Sequence, residues 1–376
     1  MKKILIVFGT RPEAIKMAPI VKVLGGYRKD YDVKICVTAQ HREMLDQVLE
    51  LFKISPDFDM NLMEMQQSLS GITAKVLLGL ENIFTKFKPN LILIHGDTTT
   101  TLATALAAYY HKIDIGHVEA GLRTGDIYSP WPEEVNRTVV SAMAKLNFAP
   151  TESSKRNLLK EGVSIKNIFV TGNTVIDALL QTRDSIFNDV EMKKNLAKRF
   201  DFLNPDKKII LVTAHRRENF GEGLKNIFKA LVTLSHRDDV QIICPVHLNP
   251  NVQSAANEML KNKKNIHLID PQSYAPFVYL MEKCYLLLTD SGGVQEEAPS
   301  LGKPVLVLRN TTERPEAIQA GTVKLVGTDY DKIVDTTIEL LDNNEEYLKF
   351  SKIANPYGDG KSAQRICDLV VNYLSY

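Results

Sequence analysis

Short apolar runs that do not alternate with polar residues constrain the fold of this chain most strongly. They are rich in Val, Ile and Leu and lie at residues 4–8, 91–94, 209–212, 242–243, 286–288 and 305–308. Runs of this kind are typical of strands buried on both faces of a parallel sheet. Segments of helix length lie between them, at residues 101–110, 133–145 and 224–234 among others. The order β, α, β, α therefore predicts a doubly wound α/β fold.

A weak internal repeat indicates two such halves. Residues 2–13 read KKILIVFGTRPE and residues 207–218 read KKIILVTAHRRE, which aligns Arg11 with Arg216. Two further strand ends, LILIHGDTTTT and YLLLTDSGG, finish on Asp97 and Asp290. We therefore expect two Rossmann-like domains that face each other across a crevice. The expected bounds are 1–171 and 172–361, with a helix at about 362–376 packing back onto the first domain.

Composition excludes several classes of function. The 376 residues carry 46 Lys and Arg against 45 Asp and Glu, so no net field draws the chain to nucleic acid or to an anionic membrane. No apolar run approaches the 18 or more residues of a membrane span, and residues 4–8 are too short for a signal peptide. The widely spaced cysteines fit buried thiols in a reducing compartment, at Cys36, Cys244, Cys284 and Cys367. We expect a cytoplasmic protein with neither nucleic acid nor membrane as partner.

Two loops have the features of anion sites. FGTRPEAIKMAP places Arg11 and Lys16 beside a turn that leads into a helix, and LTDSGGVQEE places Ser291, Gly292 and Gly293 before a helix expected to begin near Val294. Backbone N–H groups at such turns can bind a pyrophosphate. Glu297, expected on the first helical turn, suits a ribose diol. The alternatives are a surface ion pair for Arg11, and a simple tight turn with a helix-capping Glu297.

Acidic residues form a third group. Asp97 and Glu119 each follow a strand, while Glu133 and Glu134 begin a helix after Pro132. Converging carboxylates can act as general acid and base, although Glu133 and Glu134 can also compensate a helix dipole. Two His-x-acid pairs, His95 with Asp97 and His117 with Glu119, leave a metal site open as an alternative. Basic and imidazole side chains of the second half complete the set: His215, Arg216, His247 and Arg314.

Long strings of the chain resemble the bacterial non-hydrolysing UDP-N-acetylglucosamine 2-epimerases, relatives of the GT-B glycosyltransferases. They include TAQHREMLDQ, HGDTTTTLA, GHVEAGLRTG, SPWPEEVNR, TGNTVIDAL, PVHLNPNV, DSGGVQEEAPSLGKPVLV, TTERPEA and NPYGDG, in the order of that family. The resemblance implies catalytic roles for Asp97, Glu119, Glu133 and His215. It implies nucleotide-sugar contacts from Arg11, Lys16, Asp97, Glu119, His215, Gln272, Phe277, Ser291, Gly292, Gly293, Glu297 and Arg314.

The same resemblance implies regulation and partners. A second substrate molecule would activate the enzyme at positions matching Gln40, Glu43, Arg216 and His247. Glu43 stands where some members have glutamine, which leaves this regulation open. The partners implied are UDP-GlcNAc, UDP-ManNAc, UDP and a second copy of the chain, with no metal or other cofactor.

The implied reaction is inversion at C2 of the sugar. UDP would leave as the C2 proton is removed, giving 2-acetamidoglucal, and would return after protonation on the opposite face. Arg11, Lys16, Arg314 and a protonated His215 would neutralise the departing UDP. The product would supply ManNAc for cell-envelope polysaccharide. Two alternatives remain from the sequence: a GT-B transferase that passes the sugar to an acceptor, and a nucleotide-sugar sensor without catalysis.

Overall fold

The computed structural model describes residues 1–39, 42–62 and 68–375. The chain divides into two compact units, Met1–Ala178 with Tyr357–Tyr376, and Leu179–Pro356. The sequence placed these bounds after residues 171 and 361. The structure differs by a few residues. Its first bound, after Ala178, falls within the seventh helix, Thr174–Asn188, and Tyr357 accepts a hydrogen bond from the backbone of Asn173 in the first unit.

The first unit is a parallel sheet flanked by helices. Its strands are β1 (Lys2–Phe8), β2 (Tyr31–Val37), β3 (Phe58–Asp59), β4 (Leu91–His95), β5 (Asp114–Val118), β6 (Leu146–Ala149) and β7 (Ile168–Val170). Its helices are α1 (Arg11–Gly25), α2 (Arg42–Leu51), α3 (Leu69–Phe87), α4 (Thr99–Tyr110), α5 (Glu133–Met143), α6 (Glu152–Lys160) and α7 (Thr174–Asn188). The described strands lie in the order β3-β2-β1-β4-β5-β6-β7, and all pair in parallel.

The second unit repeats this plan. Its strands are β8 (Lys208–Thr213), β9 (Val240–Pro245), β10 (Ile266–Ile269), β11 (Leu286–Thr289), β12 (Val305–Val307) and β13 (Val323–Leu325). Its helices are α8 (Val190–Arg199), α9 (Glu222–Leu234), α10 (Pro250–Met259), α11 (Tyr274–Lys283), α12 (Gly292–Glu297), α13 (Pro315–Ala320), α14 (Tyr330–Asp342) and α15 (Asn344–Ser351). The strand order is β10-β9-β8-β11-β12-β13, again parallel.

Both sheets contain the Rossmann order 3-2-1-4-5-6, so each has a switch point where the direction of winding reverses. In the first unit it lies between β1 and β4, where Ile4 pairs with Leu91. In the second it lies between β8 and β11, where Thr213 pairs with Thr289. Ligands of open α/β sheets bind beyond the carboxyl ends of the strands at such points.

The final helix, α16 (Ser362–Ser375), belongs to the first unit. The Cys367 thiol lies 3.8 Å from the Ile20 carbonyl oxygen of α1, and the Tyr31 hydroxyl donates to the Val371 carbonyl at 3.3 Å. Cys367, like the other three cysteines, is buried and forms no disulfide. Within the described ranges, no helix is both long enough and apolar enough to cross a membrane.

Candidate active site

A buried carboxylate shapes the loop after β1. Glu13, 2% exposed, accepts the backbone N–H groups of Gly9 at 2.9 Å and Thr10 at 2.8 Å through Oε2. Its Oε1 accepts the hydroxyl groups of Thr98 at 2.7 Å and Thr101 at 3.0 Å. Glu13 therefore joins the loop after β1 to the start of α4. This arrangement places Arg11 at the first position of α1, beside the switch point.

Glu119 follows β5 in a left-handed backbone conformation, with φ of 65°. Its Oε2 forms an ion pair with Lys16 and accepts the Asn173 side-chain amide at 2.8 Å. His95 Nε2 lies 3.7 Å from the same oxygen. Burial by itself would raise the pKa of Glu119, but the nearby Lys16 charge and His95 hold this pKa well below its usual range. Glu119 is thus ionised at neutral pH.

Asp97 lies beyond β4, at the switch point of the first unit. Its Oδ2 is 2.9 Å from Arg137 Nε and 2.7 Å from Nη2, and its backbone carbonyl accepts Asn136 Nδ2 at 2.7 Å. The Asp97 side chain remains 25% exposed. Two residues of α5 thus fix Asp97 while leaving part of it accessible.

The two acids that begin α5 have different environments. Glu134 is buried and accepts the backbone N–H groups of Thr124 at 3.1 Å and Gly125 at 2.9 Å. It also lies 3.2 Å from Arg137 Nη1. Glu133 Oε2 is buried and, within the described part of the chain, has no hydrogen-bond partner. Glu134 therefore holds the preceding loop, whereas Glu133 remains a candidate for chemistry.

The two histidines of the first unit are buried. His117 Nε2 lies 2.7 Å from the Gly96 carbonyl oxygen, and burial lowers the pKa of His117 to about 3. Neutral His117 donates this bond, which occupies Nε2. The His95 ring is 4% exposed, and neither of its nitrogens bonds to any residue that the structure describes. Among those residues, no three His, Cys, Asp or Glu side chains are grouped so as to hold a metal ion.

In the second unit, Asp290 anchors the loop after β8. The carboxylate is fully buried, and its Oδ2 accepts the backbone N–H groups of His215 at 2.7 Å and Arg216 at 2.8 Å. It also accepts Asn219 Nδ2 at 3.1 Å. Asp290 in this unit thus holds the loop after the first strand, as Glu13 does in the other. Glu13 lies on α1 and Asp290 follows β11, yet each holds the loop after the first strand of its unit.

Two arginines approach the start of α12. A Cβ added to Gly292 would lie 3.6 Å from Arg314 Nη2 and 3.8 Å from Arg216 Nη2. Arg314 is ion-paired through Nε with Glu296, which is 1% exposed. The sequence placed the start of this helix near Val294. The helix instead begins at Gly292, because Ser291 adopts the extended N-cap conformation.

Glu297 is the last residue of α12 and not part of its first turn, which corrects the sequence expectation. Its Oε1 accepts the Tyr274 hydroxyl at 2.6 Å, and the side chain is buried. The helix cap proposed as an alternative is therefore not its role. Phe277 lies half-buried on α11, and Gln272 precedes this helix with Oε1 buried and bonded to no described residue.

His215 and His247 stack, with ring centroids 5.3 Å apart and planes 15° from parallel. Burial lowers the pKa of His215, and this effect outweighs the attraction of Asp290, whose Oδ1 is 3.3 Å from His215 Nδ1. Burial therefore favours the neutral imidazole in the protein alone, whereas the protonated His215 considered from the sequence concerns the complex with departing UDP and stays a prediction.

The residues assigned to regulation lie in different parts of the chain. Arg216 and His247 lie beside His215 in the second unit. Arg216 also lies close to Gly292, as Arg314 does. Glu43 is exposed on α2 of the first unit. Gln40 lies outside the described residues.

Sequence reasoning missed Glu13, Arg137, Asn173 and the role of Asp290. Glu13 had a signal, because Thr10 and Glu13 have the spacing of a capping box. No local sequence pattern indicated the roles of Arg137 and Asn173, because their partners lie 40 and 54 positions away in the chain.

The fold and these side chains define the class of the protein. It is an α/β enzyme of the GT-B type, with two Rossmann-like units that carry carboxylates at one switch point and arginines with glycine N–H groups at the other. The chain belongs to the UDP-N-acetylglucosamine 2-epimerase family, whose model matches residues 26–371.

Individual relatives cover nearly the whole chain. The UDP-N-acetylglucosamine 2-epimerase of Escherichia coli K12 is 58% identical over 373 residues, which are 98% of each chain. A crystal structure of the Neisseria meningitidis UDP-GlcNAc 2-epimerase bound to UDP-GlcNAc is 51% identical, with a TM-score of 0.90 over 98% of this chain and 100% of the other. The Methanocaldococcus jannaschii UDP-GlcNAc 2-epimerase in complex with UDP-GlcNAc and UDP is 35% identical, with a TM-score of 0.79 over 98% and 99%.

Proposed function

We propose that this protein interconverts UDP-GlcNAc and UDP-ManNAc by inverting C2 of the sugar. The observation that carries the proposal is Glu119, an ionised carboxylate held beyond β5 by Lys16 and Asn173. Such a group can accept a proton at neutral pH. The membership of the epimerase family supports this activity over a transferase or a sensor.

The substrate requires an indirect route. The C2 hydrogen is not beside a ketone, so its direct removal would leave an unstabilised carbanion. Elimination avoids this, because the electron pair of the C2–H bond forms the C1–C2 double bond while the C1–O bond breaks and UDP leaves. The products are 2-acetamidoglucal and UDP. Protonation of C2 on the opposite face and return of UDP to C1 then give the epimer.

The first unit would supply the proton transfers. Glu119 is the proposed acceptor of the C2 proton in one direction, because Lys16 and Asn173 hold its ionised carboxylate in place. Asp97 and Glu133 are the proposed groups for the opposite face. The Asp97 side chain remains partly accessible, and Glu133 Oε2 has no hydrogen bond within the described ranges. Each group reverses its role in the reverse reaction.

The second unit would stabilise the leaving group. Negative charge grows on the diphosphate as the C1–O bond breaks. Arg216 and Arg314 near Gly292 offer two guanidinium groups, and the backbone N–H groups at the start of α12 add positive potential. A neutral His215 can donate one further hydrogen bond. Arg11, Lys16, Gln272, Phe277, Ser291, Gly293 and Glu297 are the remaining proposed contacts to the nucleotide sugar.

The finer proposals follow the family assignment. The enzyme would be a homodimer in the cytoplasm and would supply ManNAc for cell-envelope polysaccharide. A second substrate molecule would activate it at Gln40, Glu43, Arg216 and His247. The stacking of His247 on His215 supports this last point, because a ligand at His247 would lie beside the His215 ring.

NMR of UDP-GlcNAc with the protein in deuterated water tests the activity. The expected result is a UDP-ManNAc signal with deuterium at C2. An ¹⁸O label in the bond between C1 and the diphosphate should scramble within the diphosphate in the same incubation. Product that requires an added acceptor would support the transferase, and binding without exchange at C2 would support the sensor.

A further inference from the structure

We infer that Asn173 is a positioning residue for Glu119: it fixes Oε2 of the carboxylate so that Oε1 is the oxygen that exchanges the proton. This inference rests on the proposed function. Both hydrogen-bonding partners of the Glu119 carboxylate, Lys16 Nζ and Asn173 Nδ2, bind Oε2. Oε1 forms no hydrogen bond within the described ranges and is not among the buried unpartnered atoms. The two oxygens are therefore unequal.

Asn173 is itself held firmly. It is 2% exposed, its backbone N–H donates to the Tyr357 carbonyl at 2.6 Å, and its Oδ1 accepts the Val175 N–H at 3.0 Å. The preceding Gly172 has φ of 88°, and an added Cβ would lie 2.5 Å from Ser362 Oγ. The backbone N–H and Oδ1 of Asn173 are thus both hydrogen-bonded. These bonds orient the side-chain amide so that Nδ2 points toward Glu119.

Asn173 also connects Glu119 to the segment in which the chain comes back from the second unit to the first. Tyr357 is the first residue of the chain to re-enter the first unit, and it is 1% exposed. Two residues earlier, Asn355 Nδ2 donates to the Glu296 carbonyl within the second unit at 2.7 Å. Asn173 therefore connects Glu119 to the backbone at the point where the chain re-enters the first unit.

The Asn173 side chain has two functions that substitution can separate: its Oδ1 caps the start of α7, and its Nδ2 binds Glu119. Asn173→Ser keeps an oxygen that can cap α7, because serine is a good N-cap residue, but it is too short to reach Glu119. Asn173→Ala loses both functions. Asn173→Asp keeps the cap and places a second carboxylate beside Glu119. The charged or titratable groups around Glu119 are then this aspartate, Lys16, His95 and His117.

Turnover with exchange at C2 is measured by NMR for the native protein and the three variants. Asn173→Ser should lower kcat by about 10- to 100-fold, with KM within about twofold, because the bond orients the acceptor and does not hold the nucleotide. Its Tm should stay close to the native value, and that of Asn173→Ala should fall below it. Asn173→Asp should move the acid limb of the pH profile of kcat/KM to higher pH, because a neighbouring negative charge disfavours ionised Glu119.

A double variant separates positioning from general damage. In the Glu119→Gln background, Asn173→Ser should cause no further loss of the residual exchange, since the group on which it acts is gone. An equal loss in both backgrounds overturns the inference, as does a kcat within about twofold of native for Asn173→Ser. A native protein that exchanges no C2 hydrogen overturns the proposed function and this role together.

Discussion

Arg137 binds Asp97 through two nitrogens, with Nε 2.9 Å and Nη2 2.7 Å from Oδ2. The third nitrogen of the same guanidinium lies 3.2 Å from Glu134, which in turn holds the backbone of Thr124 and Gly125. One arginine of α5 therefore connects the acid after β4 with the loop that leads to Glu133. Asp97 and Glu134 are thus held by the same guanidinium group.

Amide substitutions should identify which carboxylates transfer protons. Asp97→Asn, Glu119→Gln and Glu133→Gln keep shape and remove the titrating group, so each should lower kcat by about 10² to 10⁴-fold. UDP affinity, measured by calorimetry, should change much less. Glu152→Gln on α6, whose side chain is 65% exposed, is the matched control and should behave as native. Near-native turnover would remove the substituted residue from the mechanism.

The arginines near Gly292 should affect binding and catalysis together. Arg216→Ala and Arg314→Ala remove partners of a group whose charge grows in the transition state, so both kcat and kcat/KM should fall. Steady-state kinetics measure this, with Arg183→Ala as control, because Arg183 pairs with its neighbour Asp184 at 2.7 Å. If the change appears in KM alone, the arginine binds substrate and transition state equally.

His117 should make stability depend on pH. Its folded pKa, about 3, lies below the ordinary value of 6.5, so the unfolded chain binds the proton more readily. Its contribution is complete above pH 6.5 and is lost as the pH falls toward 3, by about 1.4 kcal/mol per pH unit. Urea unfolding at several pH values measures the loss, and Trp131, the single tryptophan of the sequence, reports on the first unit.

His117→Gln is the comparison for this effect. Its amide nitrogen can replace Nε2 as a donor to Gly96 and does not titrate. The difference in unfolding free energy between the two proteins should shift in favour of the variant as the pH falls below 6.5. Curves that stay parallel would contradict the prediction.

Chelation should leave the activity intact. Arginines and backbone N–H groups can supply the positive charge that a departing diphosphate needs. After exhaustive treatment with EDTA and removal of the chelator, turnover should stay within about twofold of the untreated enzyme. Loss of activity that zinc or magnesium restores would return the His95 and His117 pairs to consideration as ligands.

The sequence was sufficient to predict the fold, because the central strands are recognisable from their own continuous apolar residues. The apolar runs at residues 4–8 and 286–288 became β1 and β11, and the GDT and SGG turns follow strands as expected, at β4 and β11. β2 was not predicted, since Asp32 and Lys34 interrupt its apolar residues and are only half-buried in the sheet. The pattern of a strand weakens where one face is less covered.

What the sequence determined by itself is the order of elements, the family and the acids and cations placed at strand ends. Only the tertiary structure decided which residues hold these acids and loops in place. Asn173 reaches Glu119, Arg137 reaches Asp97, and Asp290 holds the backbone of His215. Such pairs depend on which strands become neighbours in the sheet. Local patterns determine whether a segment becomes a strand, whereas the packing of the whole unit brings residues 40 to 75 positions apart into hydrogen-bond distance.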